Sequence, residues 1–204
     1  MRMADTIAIV LAAGLSRRMG ARNKLLLSIG GMPMIRHMVM TYFEATQNAV
    51  CVVTGHEADK ITQALHGAPV TIHNNPDYAN GQASSVACGL RGADNCDRLF
   101  IGLGDQPNLT TKDLAQLLDR HANGDPSKIA IPQHDGQRGN PIVVPAGLRA
   151  QLLADPRAPG CKKFTRNHPE HVQFHALPNP GFYADIDTPE AYQAVSESRQ
   201  EVTT

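Results

Sequence analysis

Ile7 to Lys24 reads IAIVLAAGLSRRMGARNK, a short apolar run that breaks into a glycine-containing basic loop. The run has the composition of a β-strand buried on both faces, as in a parallel sheet covered by helices. The loop carries Arg17, Arg18, Arg22 and Lys24, and no carboxylate occurs anywhere from Thr6 to Phe43. Gly14 and Gly20 permit backbone conformations and close approaches that a Cβ would block, so main-chain N–H groups can converge on anionic oxygens. The cations then neutralise the charge that the amides leave. A polyphosphate site is the functional reading, and a solvated basic loop is the bland one. A place at the carboxyl end of a buried strand favours the first, because open α/β sheets bind ligands there. The spacing matches neither the Walker loop nor Gly-x-Gly-x-x-Gly.

Working outward, apolar runs alternate with amphipathic stretches, the signature of an α/β layered sheet. Strands are predicted at Thr6–Ala12, Ala49–Thr54, Val70–His73, Arg98–Leu103 and Lys128–Pro132. Helices are predicted at Pro33–Ala45, Glu57–Leu65, Gln82–Arg91 and Thr110–Asn123, covering both faces of the sheet. Beyond Pro132 the rhythm changes. Asp135-Gly136 between short extended segments signals a hairpin, and hence an antiparallel extension of the sheet. Helical stretches near Ala146–Leu153 and Cys161–Asn167, a strand at Val172–Phe174 and a last helix opened by Thr188-Pro189-Glu190 complete the pattern. At 204 residues, with no linker, internal repeat or low-complexity segment, the chain reads as a single domain spanning residues 1–204.

Charge balances at 19 basic and 19 acidic residues, and aromatic residues make up only 4%. Neither a whole-molecule field nor stacking platforms favour a nucleic-acid partner. Cys51, Cys88, Cys96 and Cys161 form no Cys-x-x-Cys pair and are too sparse for a disulfide scaffold, so reduced thiols are expected. The N-terminal apolar stretch is too short to span a bilayer and runs directly into the basic loop. A cytoplasmic protein without a membrane partner is the expectation.

Leu103-Gly104-Asp105-Gln106-Pro107 follows a predicted strand. A carboxylate at a strand's end suits Mg²⁺, which takes one or two carboxylates together with phosphate oxygens and waters. A turn aspartate capping the next helix is the alternative. A second acidic cluster, Asp185-Ile186-Asp187-Thr188-Pro189-Glu190, offers two more carboxylates. Asp187 could equally be the N-cap of the last helix, and if the segment is a strand only one of Asp185 and Asp187 can face a given side. Gly81, Ser84 and Ser85 open a predicted helix, where amides and small hydroxyls can meet a base or a phosphate but are also ordinary helix-start residues. Arg138-Gly139-Asn140-Pro141 combines a cation, an amide and a tight turn, and could line a substrate mouth. His168, His171 and His175 invite a zinc reading, but Pro169 breaks helical spacing and no cysteine or acid completes a tetrahedral set. No Gly-x-Ser-x-Gly elbow makes Ser16 or Ser84 a nucleophile.

Taken together, LAAGLSRRMGARNKLLLSIGGMPMI, GQASSVACGL, GLGDQP, GNPIVVP and DIDTPEAY resemble the MobA-like nucleotidyltransferase family, most closely its molybdenum cofactor cytidylyltransferase branch. The resemblance implies a three-layer α/β/α, Rossmann-like fold of the nucleotide-diphospho-sugar transferase type, with a mostly parallel sheet and an antiparallel extension. It implies transfer of CMP from CTP to the terminal phosphate of molybdopterin, with release of pyrophosphate and with Mg²⁺ as cofactor. By motif, Leu11, Ala12, Ala13, Gly14, Ser16, Arg17, Gly81, Ser84 and Ser85 would surround the nucleotide. Arg18 would hold the β- and γ-phosphates, Lys24 the α-phosphate and Asp105, with Asp185 or Asp187, the metal. Arg138, Gly139, Asn140, Pro141 and Lys162 would meet the acceptor. Ala13 and Asn23 match the cytidylyl pattern, LAAG…NKLL, rather than the guanylyl one. Ala154-Asp155 and Gly160-Cys161-Lys162 depart from the Gly-Asp and Gly-Ala-Arg often seen at the acceptor end. A related enzyme using GTP or another phosphate acceptor, or a carrier handing the cofactor to a recipient molybdoenzyme, are the competing readings.

Overall fold

The computed structural model describes residues 5–20, 22–154 and 160–201. Asp155, at the acceptor end of the sequence pattern, lies outside the described residues. The first strand, β1 (Thr6–Ala12), is buried along almost its whole length and feeds its side chains into two cores. Ala8, Val10 and Ala12 point into one, together with residues of α1 (Met34–Thr46), α2 (Ala58–Ala64) and α4 (Thr111–Asn123). Ile9 and Leu11 point into the other, with residues of α3 (Gln82–Gly92), α5 (Arg149–Leu153) and α6 (Cys161–Asn167). A strand apolar on both faces is therefore the centre of three layers, helices on each side of a sheet.

Among the described residues the sheet has eight strands. β1 pairs in parallel with β4 (Val50–Thr54) on one side and β6 (Arg98–Leu103) on the other, and β4 pairs in parallel with β5 (Val70–Asn74). Beyond β6 the order continues through β9 (Ile142–Pro145), β7 (Ile129–His134) and β10 (Val172–Ala176). β9 runs antiparallel to both β6 and β7, and β8 (Gln137–Arg138) folds back on β7. Asp135 (φ 48°) and Gly136 (φ 77°) form the left-handed two-residue turn between β7 and β8, the geometry that Asp-Gly favours. The same chemistry at Gly30-Gly31 makes a hairpin of β2 (Ser28–Ile29) and β3 (Met32–Pro33) that the sequence reading passed over. The strand order diverges between β1 and β6, the position at which doubly wound sheets open a crevice beyond their carboxyl ends.

The helix at Thr111–Asn123 owes its sharp start to a capping box. The Thr110 hydroxyl accepts from the Asp113 N–H at 3.2 Å, and Asp113 Oδ2 accepts from the Thr110 N–H at 2.9 Å. The last element among the described residues is α7 (Pro189–Glu201). The stretch before it, 184–188, is irregular rather than extended in a sheet, so the alternation expected for Asp185 and Asp187 does not apply. Among the described residues no helix is long and apolar enough to cross a membrane.

Candidate active site

The loop after β1 is held by its own polar groups. Ser16 adopts a left-handed conformation (φ 48°), its carbonyl accepts from the Met19 N–H at 2.9 Å and its hydroxyl from the Lys24 N–H at 3.3 Å. The Asn23 side chain then accepts from the Leu25 N–H at 3.1 Å, capping the short turn that begins at Lys24. The Lys24 backbone is thereby fixed, and its side chain points across the carboxyl ends of β1 and β6. There its ammonium hydrogen-bonds Asp105 Oδ2 and lies 2.6 Å from Asp187 Oδ1. Arg18 Nη2 reaches the other oxygen of Asp187 at 2.5 Å. The Lys24 and Asp105 side chains are only 12% and 14% exposed, whereas Arg18 is 69% exposed. The first pair is therefore weakly screened, and the Arg18 contact is a surface ion pair worth little by itself.

The C-terminal segment brings Asp187 there. The Ile186 N–H donates to the Asp105 carbonyl at 2.9 Å, and the Ile186 side chain is buried with Ile29 and Met34. The Phe182 carbonyl accepts from the Asn140 N–H at 2.8 Å and from Gln106 Nε2 at 3.3 Å. Gly139 is needed for this approach, since a Cβ there would come within 2.8 Å of the Phe182 oxygen. Helix α7 is capped by Thr188, whose hydroxyl accepts from the Ala191 N–H at 3.3 Å, and not by Asp187, which is left to meet Lys24 and Arg18.

Two cavities open along this edge. The first, of about 580 Å³, is lined by Leu11, Ala13, Gly14, Ser16, Arg17, Arg18, Lys24, Gly81, Ser85, Asp105, Asp185 and Asp187 among others. The second, of about 690 Å³, is lined by Arg138, Gly139, Asn140 and Lys162, with Lys163, Thr165 and Arg166 beside them. They share Leu11, Gln82, Leu103 and Asp185, so they are two ends of one cleft. Three expected residues stand apart. Ala12 is buried in the core, and Pro141 lines neither cavity. The Ser84 hydroxyl is turned onto the Asp77 and Gly81 carbonyls at 2.9 and 2.8 Å, a helix-start role, so Ser85 alone of the pair faces the cleft. Sequence reasoning missed Tyr78, which lines the first cavity, and Lys163 and Arg166 of the second. An aromatic residue just ahead of Asn80-Gly81 and the basic spacing of Lys162, Lys163 and Arg166 were the available signals.

The electrostatics follow from this crowding. Burial opposes the Lys24 charge, yet Asp105 and then Asp187 outweigh it and hold the ammonium above its ordinary value. Burial would raise Asp187, but the Lys24 hydrogen bond and the Lys24 and Arg18 charges hold it below the usual carboxylate range. Asp185 keeps exposed surface, but desolvation, followed by the Asp105 and Asp187 charges, pushes it up to about 6. Among the described residues Asp105 Oδ1, which is buried, has no hydrogen-bond partner, a hard oxygen donor that fits a hard divalent cation. Among the described residues no three His, Cys, Asp or Glu side chains converge on one metal position. Asp105, Asp185 and Asp187 are therefore not a ready three-ligand set, because Lys24 stands between two of them. A cation here would complete its shell with ligand and water oxygens.

A family model described as the MobA-like NTP transferase domain matches residues 8–172. The chain belongs to this family. The MobA-like match runs from the first strand to the start of β10 and so includes the basic loop, Asp105 and Arg138–Asn140. Among curated relatives, the chain is 28% identical over 187 residues to a nicotine blue oxidoreductase of Paenarthrobacter nicotinovorans, covering 89% of this chain and 92% of that protein. It is 26% identical to the molybdenum cofactor cytidylyltransferase of Escherichia coli (95% and 97% covered). It is 27% identical to a molybdenum cofactor guanylyltransferase of Shewanella loihica (94% and 95% covered). The structure is similar to that of a nucleotidyl transferase from Methanothermobacter thermautotroptrophicus, with TM-score 0.83, 22% identity and coverage of 97% and 98%, which agrees with the nucleotide-diphospho-sugar transferase fold. The MobA-like chain is thus a nucleotidyltransferase by family, and its cleft lies beyond the carboxyl ends of the strands, where open α/β sheets bind ligands.

Proposed function

We propose that this nucleotidyltransferase moves CMP from CTP to the terminal phosphate of molybdopterin and releases pyrophosphate. One observation carries the reading: Lys24, set at the divide between β1 and β6, stands between Asp105 and Asp187 where a basic loop cavity joins a second cationic cavity. The first cavity takes the triphosphate on the loop amides, Arg18 and Lys24. The second takes the acceptor, with Arg138 and Lys162 drawing in its anionic phosphate. An acceptor oxygen attacks the α-phosphorus in line, the bond to the bridging oxygen of the β-phosphate breaks, and pyrophosphate leaves with the electron pair. Lys24 neutralises charge developing at the α-phosphate, and the rest of the rate comes from holding two anions in line. Asp105 and Asp187 would hold Mg²⁺, which would supply further charge neutralisation at the phosphates. The LAAG…NKLL pattern at Ala13 and Asn23 supports CTP over GTP.

The test is pyrophosphate release by the purified protein with Mg²⁺ and molybdenum-loaded molybdopterin, comparing CTP with GTP. Release with CTP alone is expected. Release with GTP alone overturns the base assignment, and release with neither overturns the acceptor. The oxidoreductase relative favours a second reading, so a parallel reaction with NADH or NADPH in place of the nucleoside triphosphate belongs in the same experiment. No nicotinamide oxidation is expected, since the first loop lacks Gly-x-Gly-x-x-Gly.

A further inference from the structure

Two phosphate-seeking cations and two metal-seeking carboxylates neutralise one another inside the cleft. Lys24 bridges Asp105 Oδ2 and Asp187 Oδ1, and Arg18 holds the remaining Asp187 oxygen. We propose that Lys24 is the resident counter-ion of the metal position, so that divalent cation and triphosphate are admitted tightly only together. This inference rests on the nucleotidyltransferase reading of the site.

The physical argument is one of unpaired charge. A divalent cation arriving alone would have to settle beside an ammonium that is only 12% exposed, and like charges at that depth are poorly screened. A triphosphate arriving alone would draw Lys24 and Arg18 away, leaving Asp105, 14% exposed, and Asp187 without a counter-charge. Leaving a buried charge unpaired costs several times what the pair itself contributes. When the two arrive together, the cation takes the carboxylates as the lysine and arginine turn to phosphate oxygens, and no charge is stranded. The local architecture permits the exchange. The Lys24 backbone is pinned by Ser16 and by the Asn23-capped turn, so only a flexible four-carbon side chain has to move.

The test uses Mn²⁺ as probe, with binding followed by equilibrium dialysis and by the electron paramagnetic resonance signal of the free ion. Wild type, Lys24→Met and Asp105→Asn are compared without nucleotide and with a non-hydrolysable CTP analogue. Without nucleotide, Lys24→Met should bind Mn²⁺ about tenfold or more tightly than wild type, while wild type should gain a similar factor when the analogue is added. Equal affinity of wild type and Lys24→Met without nucleotide overturns the proposal. If Lys24→Met does not fold, the wild-type measurement decides, and a gain below about threefold on adding the analogue overturns it. Asp105→Asn separates the two levels of inference. If it loses nucleotide-dependent Mn²⁺ binding while Lys24→Met shows no gain, only the counter-ion role fails. If it keeps that binding in full, the reading of the site fails and the proposal with it.

Discussion

Lys24 and Asp187 lie 163 positions apart in the chain, and their side chains meet at 2.6 Å. The contact ties the first loop of the sheet to the segment before the last helix, and it is supported by a hydrogen bond from the Tyr192 hydroxyl to the Ser28 carbonyl at 2.9 Å. The cleft is thus closed by the two ends of the chain, and its chemistry depends on groups that either end alone would leave unpaired.

Removing the charges at the centre should separate chemistry from folding. Lys24→Ala and Asp105→Ala are each expected to lower kcat by about 10²–10³, the range for losing one preorganised charge-stabilising group. Far-UV circular dichroism should match wild type, because both side chains lie in loops or short turns at the sheet's edge. Near-normal turnover in either variant would remove that residue from the mechanism.

The second cavity should show itself in the acceptor alone. Arg138 and Lys162 line it and take no part in the first cavity. Arg138→Ala and Lys162→Ala should raise KM for the phosphate-bearing acceptor by about tenfold or more, the value of a charged hydrogen bond, with KM for CTP unchanged. A matching rise in the CTP constant would show that the division of the cleft is wrong.

Asp185 should trade stability against function. Its folded value of about 6 lies above the unfolded carboxylate value, so its stabilising contribution is full below about pH 4 and is lost as pH rises through 6. Asp185→Asn removes that loss. Urea midpoints should therefore be higher for the variant than for wild type at pH 7.5 and should converge towards pH 4, while turnover falls. A variant less stable than wild type at pH 7.5 would contradict the crowding of carboxylates inferred here.

On the far side of the molecule, burial and then the Arg98 charge push the His121 imidazole down to about 4. The unfolded chain, with its histidine near 6.5, binds more protons than the fold between those values, so stability is full above about pH 6.5 and falls as pH drops towards 4. At pH 5 the loss from this group is of order 2 kcal/mol. His121→Leu should flatten that part of the profile, read as the difference between unfolding free energies at pH 7 and pH 5. An unchanged slope would mean that other groups carry the acid sensitivity.

Some elements are dictated over a few residues and were legible in the sequence. The doubly apolar run at Thr6–Ala12, the helix start at Thr110 and the Asp135-Gly136 turn each produce their element from local sterics and hydrogen bonds. The Gly30-Gly31 hairpin was equally local, and was missed because its strands are two residues each. The basic loop and Asp105 could be placed at strand ends for the same reason, and they define most of the first cavity.

Tertiary structure alone decided which carboxylates turn into the cleft. Asp187 reads as well as a helix cap as it does a ligand, until Thr188 takes the cap and the buried Ile186 sets the direction of the segment. Ser84 and Ser85 read alike in sequence, and what separates them is local, since the Asp77 and Gly81 carbonyls just upstream turn Ser84 away. Lys24 could be assigned to a phosphate from its loop, but its place between Asp105 and Asp187 depends on packing across the sheet and on the return of the C-terminal segment. The sequence determines backbone geometry where the deciding interactions span a few residues. The pairing of charges is set by contacts between residues far apart in the chain, and their distances exist only once the core has formed.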